Sequence, residues 1–260
     1  SLVLVVTLVK GVNDHQLGDI IRFAVDNFDV IRCINVQPVS LCGRLPEEER
    51  AKMRITIPDF MRLCEEQTEG KIKTNDFYPV PTVVPIAQAI GAIKHKRYVE
   101  FTAHPHCGMA TYLFIENEEM IPITHYGNVD RFVKTMEKVY AEAQKEHETR
   151  AKMHLVGALR HAKFGLLRKH LLPILRKGSY EALGDLQRKT ILLSSMHFMD
   201  PYNFDLERVQ SCCIHYAVPD GRIIPFCTMN SIHRQEIEKN LGIPLDQWKK
   251  SHEKEITVAA

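Results

Sequence analysis

Among 260 residues there is one tryptophan and no marked excess of either charge. The formal net charge of +2 gives composition no reason to propose a nucleic-acid surface, so any basic function must be local. The apolar run Leu2 to Val9 falls far short of the roughly 20 residues of a membrane span and ends at Lys10-Gly11, so it reads as a buried strand. Seven cysteines, an odd number at irregular spacing with no signal peptide, do not make a secreted disulfide framework, and a reducing cytoplasm is the expected location. A phosphate-binding glycine loop, a Gly-x-Ser-x-Gly elbow and a His-Glu-x-x-His helix are all missing, and with them the chemistries those motifs carry. There is no internal repeat or low-complexity tract. The chain starts at Ser1 without an initiator Met, already inside a strand, which leads us to expect a piece of a longer protein. What is there is ordinary for a globular chain: 45% apolar and 25% charged residues, enough for one large core or two smaller ones.

Leu2 to Val9 as a strand, Asn13-Asp14 as a cap, Gln16 to Asp26 as a helix and Ile31 to Val36 as a second strand form one βα-β unit. Both strands are almost continuously apolar, as in a parallel sheet covered on its faces. The loops after them, Lys10 to Asp14 and Gln37 to Ser40, lie at the C-terminal edge, where α/β folds place their sites. Asn35 and Gln37 are candidate site amides there, against the alternative that they merely bond backbone. A charged segment, Pro46 to Arg54, leads to a helix begun by Thr56 with Asp59 in a capping-box pattern. Cys64 in this helix reads as packing. The passage Phe77 to Pro85 is expected to be extended because each proline biases its predecessor out of the helical region. Strands are expected at Tyr98 to Thr102, Ala110 to Ile115 and Met120 to Thr124, with Asn117 to Glu119 as a turn. Asn128 caps a long helical stretch from Val129 to about His161, and Thr190 to Leu193 forms a late strand.

Cys212 to Cys227 carries three of the cysteines in a β-hairpin pattern around Pro219-Asp220-Gly221-Arg222. With a two-residue loop on Asp220-Gly221, Cys227 lies opposite Ile214 and Cys213 opposite Thr228. Cys212 and Cys227 then share a face diagonally, roughly 7 to 8 Å apart at Cβ, too far for a relaxed disulfide but suited to two corners of a metal cluster. A three-residue turn would swap the faces. The alternative is two buried cysteines packing as small hydrophobes. His104-Pro105-His106-Cys107-Gly108 is rich in metal-ligand types, and Gly108 lets backbone approach a ligand. Cys107, Cys212 and Cys227 are therefore the candidate metal ligands, with His104, His106 or Cys64 as a fourth, and soft thiolates suit an iron–sulfur cluster or zinc. Lys163 to Lys177 is a basic amphipathic helix: Phe164, Leu167, Leu171 and Ile174 make one apolar stripe beside five cations. It is a candidate for peripheral membrane contact, against the commoner core-facing helix.

Val5-Val6-Thr7-Leu8-Val9-Lys10-Gly11-Val12-Asn13-Asp14 through Ile34-Asn35-Val36-Gln37-Pro38-Val39-Ser40 resembles the last strands of the radical S-adenosylmethionine partial barrel. Phe77 to Pro85, His104 to Phe114, Met199 to Asp205 and Cys212 to Asn230 resemble the archaeal branch that contains tetraether lipid synthase. The resemblance implies an α/β fold. It implies that residues 1–45 are the closing βα-β part of a partial (β/α) barrel, 46–70 a connecting helical segment, and 71–260 an α+β auxiliary-cluster and substrate domain. It further implies a 4Fe-4S cluster, S-adenosylmethionine bound by the full-length enzyme, an upstream barrel half, and an archaeal lipid substrate whose isoprenoid chains are coupled by hydrogen abstraction. No nucleic acid is implied. The family's Cys-x-x-x-Cys-x-x-Cys loop is absent from this chain, so the chain alone is expected to be inactive. The family's Phe-Tyr-Pro-Val-Pro motif is often followed by Cys, where Thr82 stands here. The alternatives are methylation of a pterin precursor of methanopterin by the same chemistry, and a non-catalytic zinc-stabilised binding module.

Overall fold

The computed structural model describes residues 1–42, 47–158, 161 and 188–251, and by compactness the chain divides into two units, Ser1–Phe198 and Met199–Ala260. The first is a mixed α/β unit. Six described strands form one sheet: β1 (Leu2–Leu8), β2 (Ile31–Pro38), β3 (Tyr78–Pro79), β4 (Gly108–Glu116), β5 (Glu119–Pro122) and β6 (Thr190–Met196). Their spatial order is β1-β2-β6-β4-β3, with β5 also on β4; β1, β2 and β6 run parallel, and β4 pairs antiparallel with β6, β3 and β5. Residues drawn from 1–45 and from 71–260 thus share one sheet.

One face of the sheet is dry. Leu8, Ile34, Val36, Leu113, Ile191 and Leu193 are buried there against α1 (Leu17–Asp26) and α3 (Ile57–Gln67), whose Ile21, Ala24, Phe60 and Cys64 are fully buried. The two helices touch at Gly18. A Cβ at that position would stand 2.6 Å from the Gln67 carbonyl oxygen, so only glycine permits the approach, and the Gly18 N–H donates to Gln67 Oε1 at 2.8 Å. α3 begins as its sequence signals, with the Asp59 carboxylate accepting from the Thr56 N–H at 2.9 Å and from its hydroxyl at 2.6 Å.

Several expected elements differ. Asn13 does not cap α1: its side chain accepts from the Val9 N–H and donates to the Thr7 carbonyl, both at 2.9 Å, tying down the turn after β1. β2 runs two residues longer than its apolar pattern, so Gln37 is paired with Thr7 inside the sheet and not in a loop. Only Tyr78–Pro79 of the proline passage is extended; Val80–Val83 is a 3-10 turn and α4 (Val84–Lys94) follows, since a proline in a first helical turn removes no hydrogen bond. Tyr98 to Thr102 forms no strand, because β4 is already paired by β6 on one side and by β3 and β5 on the other. The long helix is two, α5 (Val129–Gln144) and α6 (Glu148–Ala158), reversed at Glu146, where φ is +60°. The reversal buries Met136, Val139, Ala151 and Ala158 with Ala89 of α4 in a second core. Residues 163–177 lie outside the described residues, and among those described no helix is long and apolar enough to cross a membrane. α2 (Glu47–Met53) links β2 to α3.

In the second unit, Asp205 caps α7 (Leu206–Gln210), accepting from the Glu207 N–H at 2.9 Å. β7 (His215–Ala217) and β8 (Ile223–Pro225) pair antiparallel; a helical turn Phe226–Thr228, a π-helical turn Met229–His233 and α8 (Arg234–Leu241) follow, then α9 (Leu245–Ser251). Val218, Ile224 and Ile237 form its small core.

Candidate functional site

The second face of the sheet is open and polar at its centre. Side chains alternate along a strand, so the residues paired in register with Asn35 share its face. Val5 of β1, Asn35 of β2, Ser194 of β6 and Ala110 of β4 make one row, and Val3, Cys33, Leu192 and Tyr112 make the next. Gln37, two positions on from Asn35, belongs to the same face beside Thr7. Cys33, Asn35, Gln37 and Ser194 are half-buried, while Val3 and Val5 are 55% and 62% exposed along the outer strand β1.

Ser194 organises this face. Its hydroxyl lies 3.3 Å from both Asn35 Oδ1 and the Ile34 carbonyl oxygen, and it hydrogen-bonds the Cys33 thiol. Burial pushes the Cys33 thiol up from its ordinary pKa, and the Ser194 bond opposes that shift. The Tyr112 phenol is also raised, by burial first and by the nearby Cys33 second. At neutral pH the face therefore presents neutral groups only: two amides, a hydroxyl, a thiol and a phenol. Such a set binds and orients a polar ligand by hydrogen bonds but holds no acid–base pair.

The parallel strands β1, β2 and β6 end on the same edge, and β4 begins there. Cys107 sits half-buried just before β4, its carbonyl accepting from the His197 N–H at 3.0 Å. His104 Nδ1 accepts from the His106 N–H at 3.2 Å, and the two rings meet edge-on with centroids 4.7 Å apart. Gly108 packs tightly, since a Cβ would stand 3.0 Å from the Ser195 carbonyl oxygen.

In the second unit the hairpin loop has three residues. His215 pairs with Pro225, where a two-residue loop would have given Phe226. The Val218 N–H donates to the Arg222 carbonyl at 3.0 Å, and Gly221 adopts φ +87°, a left-handed conformation that glycine takes at no steric cost. A one-residue shift in register exchanges the faces, which removes the geometric ground for pairing Cys212 with Cys227 diagonally. Cys227 has in any case left the ladder for the helical turn Phe226–Thr228. It is 9% exposed, and its sulfur accepts from the Met199 N–H at 3.3 Å, the kind of bond that stabilises a thiolate bound to metal. Cys212 is half-buried with its thiol donating to the Ile214 carbonyl at 3.0 Å, and Cys213 is exposed. Cys64 packs in the core of the first unit, where burial pushes its thiol well up. Among the described residues no group of three His, Cys, Asp or Glu side chains is arranged to hold a metal ion. The donor chemistry of Cys227 fits a thiolate-held centre.

Cys33, Ser194 and Tyr112 escaped the sequence reading. The signal for the first was the alternation Cys33-x-Asn35-x-Gln37, one polar face inside a strand that reads as apolar throughout.

No family model matches the chain. It is 45% identical over 269 residues, covering 97% of the chain, to a 7,8-dihydro-6-hydroxymethylpterin dimethyltransferase of Methanocaldococcus jannaschii. The chain spans about half the length of that relative, 52%. This similarity corrects the expected kinship with tetraether lipid synthase and the expected archaeal lipid substrate, because the similar protein is named for methylating a pterin and not for joining lipid chains.

Proposed function

We propose that this chain is a portion of a radical S-adenosylmethionine methyltransferase that acts on a pterin, with the open sheet face as the surface that receives cofactor and substrate. The similarity to a pterin dimethyltransferase over 97% of the chain carries this reading. The geometry supports it. A pterin presents donors and acceptors along one ring edge, and the amides of Asn35 and Gln37, each able to donate and accept, match an edge of that kind. The neutral, half-buried surroundings strengthen such bonds relative to water. Ser194 holds the Asn35 amide.

Cys227, with Cys212 of the same unit, is the proposed thiolate ligand of an auxiliary 4Fe-4S centre, supported by the N–H donated to the Cys227 sulfur. When bound, the iron–sulfur and S-adenosylmethionine groups supply the hydrogen abstraction and methyl donation for which this chain's own neutral side chains have no equivalent. The parallel strands β1, β2 and β6 are the proposed closing part of a partial barrel whose remaining strands join at the outer edge of β1. Exposed Leu2, Val3 and Val5 support that edge as a joint, since parallel strands are normally covered on both faces. A cytoplasmic enzyme belongs to the same reading.

The test is anaerobic co-expression of this chain with the half of the relative that it does not match, supplied with dihydropterin and isotopically labelled methionine. The expected result is labelled methyl on the pterin, lost in Cys227→Ala together with iron and sulfide. Zinc in place of iron, with folding unchanged in the mutant, would turn the thiols into structural ligands and refute the radical reading.

A further inference from the structure

The sequence motif Tyr78-Pro79-Val80 builds one wall of a cavity of about 290 Å³ that the pterin reading does not use. Ala110 and Tyr112 of β4 form its floor, and Ile86 of α4 and Phe132 of α5 close it from the helical side. Its surface is almost wholly carbon, and the reason is visible in the bonding. The Tyr78 hydroxyl is engaged by the Asp130 carboxylate, Asn128 Oδ1 accepts from the Arg131 N–H at 2.9 Å, and the His161 ring meets the Thr135 hydroxyl at 3.0 Å. These three polar groups are engaged by protein, and what faces the space is mostly ring and methyl.

We propose that this cavity is a binding site for a small, uncharged, apolar molecule of about two fused rings, on the β3–β4 side of the same sheet face and beside its polar row. The size follows from volume: an apolar cavity of roughly 150 Å³ holds one benzene ring, and this one is about twice that. The uncharged, apolar character follows from the walls, which leave any buried polar atom of the ligand without a partner. For the same reason a pterin edge is excluded. The rings of Tyr78, Tyr112 and Phe132 favour a flat occupant over a branched one, because aromatic pairs gain beyond their buried area.

Naphthalene is the probe, followed by saturation-transfer NMR and by thermal shift on the full 260-residue chain. Saturable one-site binding is expected, weakened at least about tenfold by Ala110→Leu, which fills the floor at a position paired with Ser194. Val83→Phe, at a rim position 40% exposed and so tolerant of bulk, is the second variant and decides the matter if Ala110→Leu disturbs the circular dichroism. 6-Hydroxymethylpterin should not displace the probe. Absence of saturable binding, binding indifferent to both well-folded variants, or displacement by the pterin would each overturn the proposal. None of the first two results bears on pterin binding at the sheet face, which Asn35→Ala tests separately.

Discussion

Replacing Ser194 with alanine removes a single hydroxyl from the middle of the open face and leaves the strand pairing intact. That hydroxyl reaches Asn35 Oδ1 and the Ile34 carbonyl at 3.3 Å each, long for O–H···O bonds, and also bonds the Cys33 thiol. A typical intramolecular hydrogen bond contributes about 0.5 to 1.5 kcal/mol net, and these long ones belong at the low end, so unfolding in urea should show a loss of no more than about 1 kcal/mol. The larger effect should be on ligand affinity. Without Ser194 the Asn35 amide loses its fixed orientation, and one ligand hydrogen bond, about 1 to 1.5 kcal/mol, corresponds to about tenfold weaker pterin binding. The Cys33 thiol provides an independent reading, because the Ser194 bond is what opposes the upward shift caused by burial. Following thiolate absorbance against pH, its titration should move further up in the variant. Unchanged pterin affinity together with an unchanged Cys33 titration would show that Ser194 does not organise this face.

Gly18→Ala should destabilise the first unit by about 1 to 3 kcal/mol, because the new methyl meets Gln67 backbone at 2.6 Å and must push α1 off α3; a melting curve measures it. Gly221→Val forces a β-branched residue to φ +87° and should cost about 1 to 2 kcal/mol locally, seen as faster hydrogen exchange at the Val218 amide, which bonds across the loop. Cys64 links stability to pH. Burial raises its folded pKa, so its contribution is complete below the unfolded value of about 8.5 and is lost as pH rises above it, at up to about 1.4 kcal/mol per pH unit. Cys64→Val, close in volume, should flatten that alkaline loss in urea titrations at pH 8 to 10.

The parallel pair and its helix were legible because β1, α1 and β2 carry strong periodic signals and short connections. The place of β6 was not: a strand more than 150 residues away in sequence pairs with β2, and a local pattern carries no information on such a partner. The sequence did point to Asn35 and Gln37 as candidate amides at the C-terminal edge of the sheet, yet the groups around them come from β4 and β6 and become neighbours only through the register. The helix break at Glu146 was missed because Gln144 to His147 are good or tolerable helix formers; tertiary packing of α5 and α6 against α4 overrides propensity there. The hairpin shows a different limit. Pro219-Asp220-Gly221 announces a turn, but whether Gly221 serves as the second residue of a two-residue loop or the third of a longer one changes which cysteine faces Cys227, and both forms share the same letters.

The most direct measurement is a calorimetric titration of this chain with 7,8-dihydro-6-hydroxymethylpterin, wild type beside Asn35→Ala and Gln37→Ala. Saturable binding at one site, weakened about tenfold in either variant while the melting temperature holds, is the result expected of a pterin surface on the open sheet face. Absence of saturable binding, or binding at full strength in both variants, would contradict it.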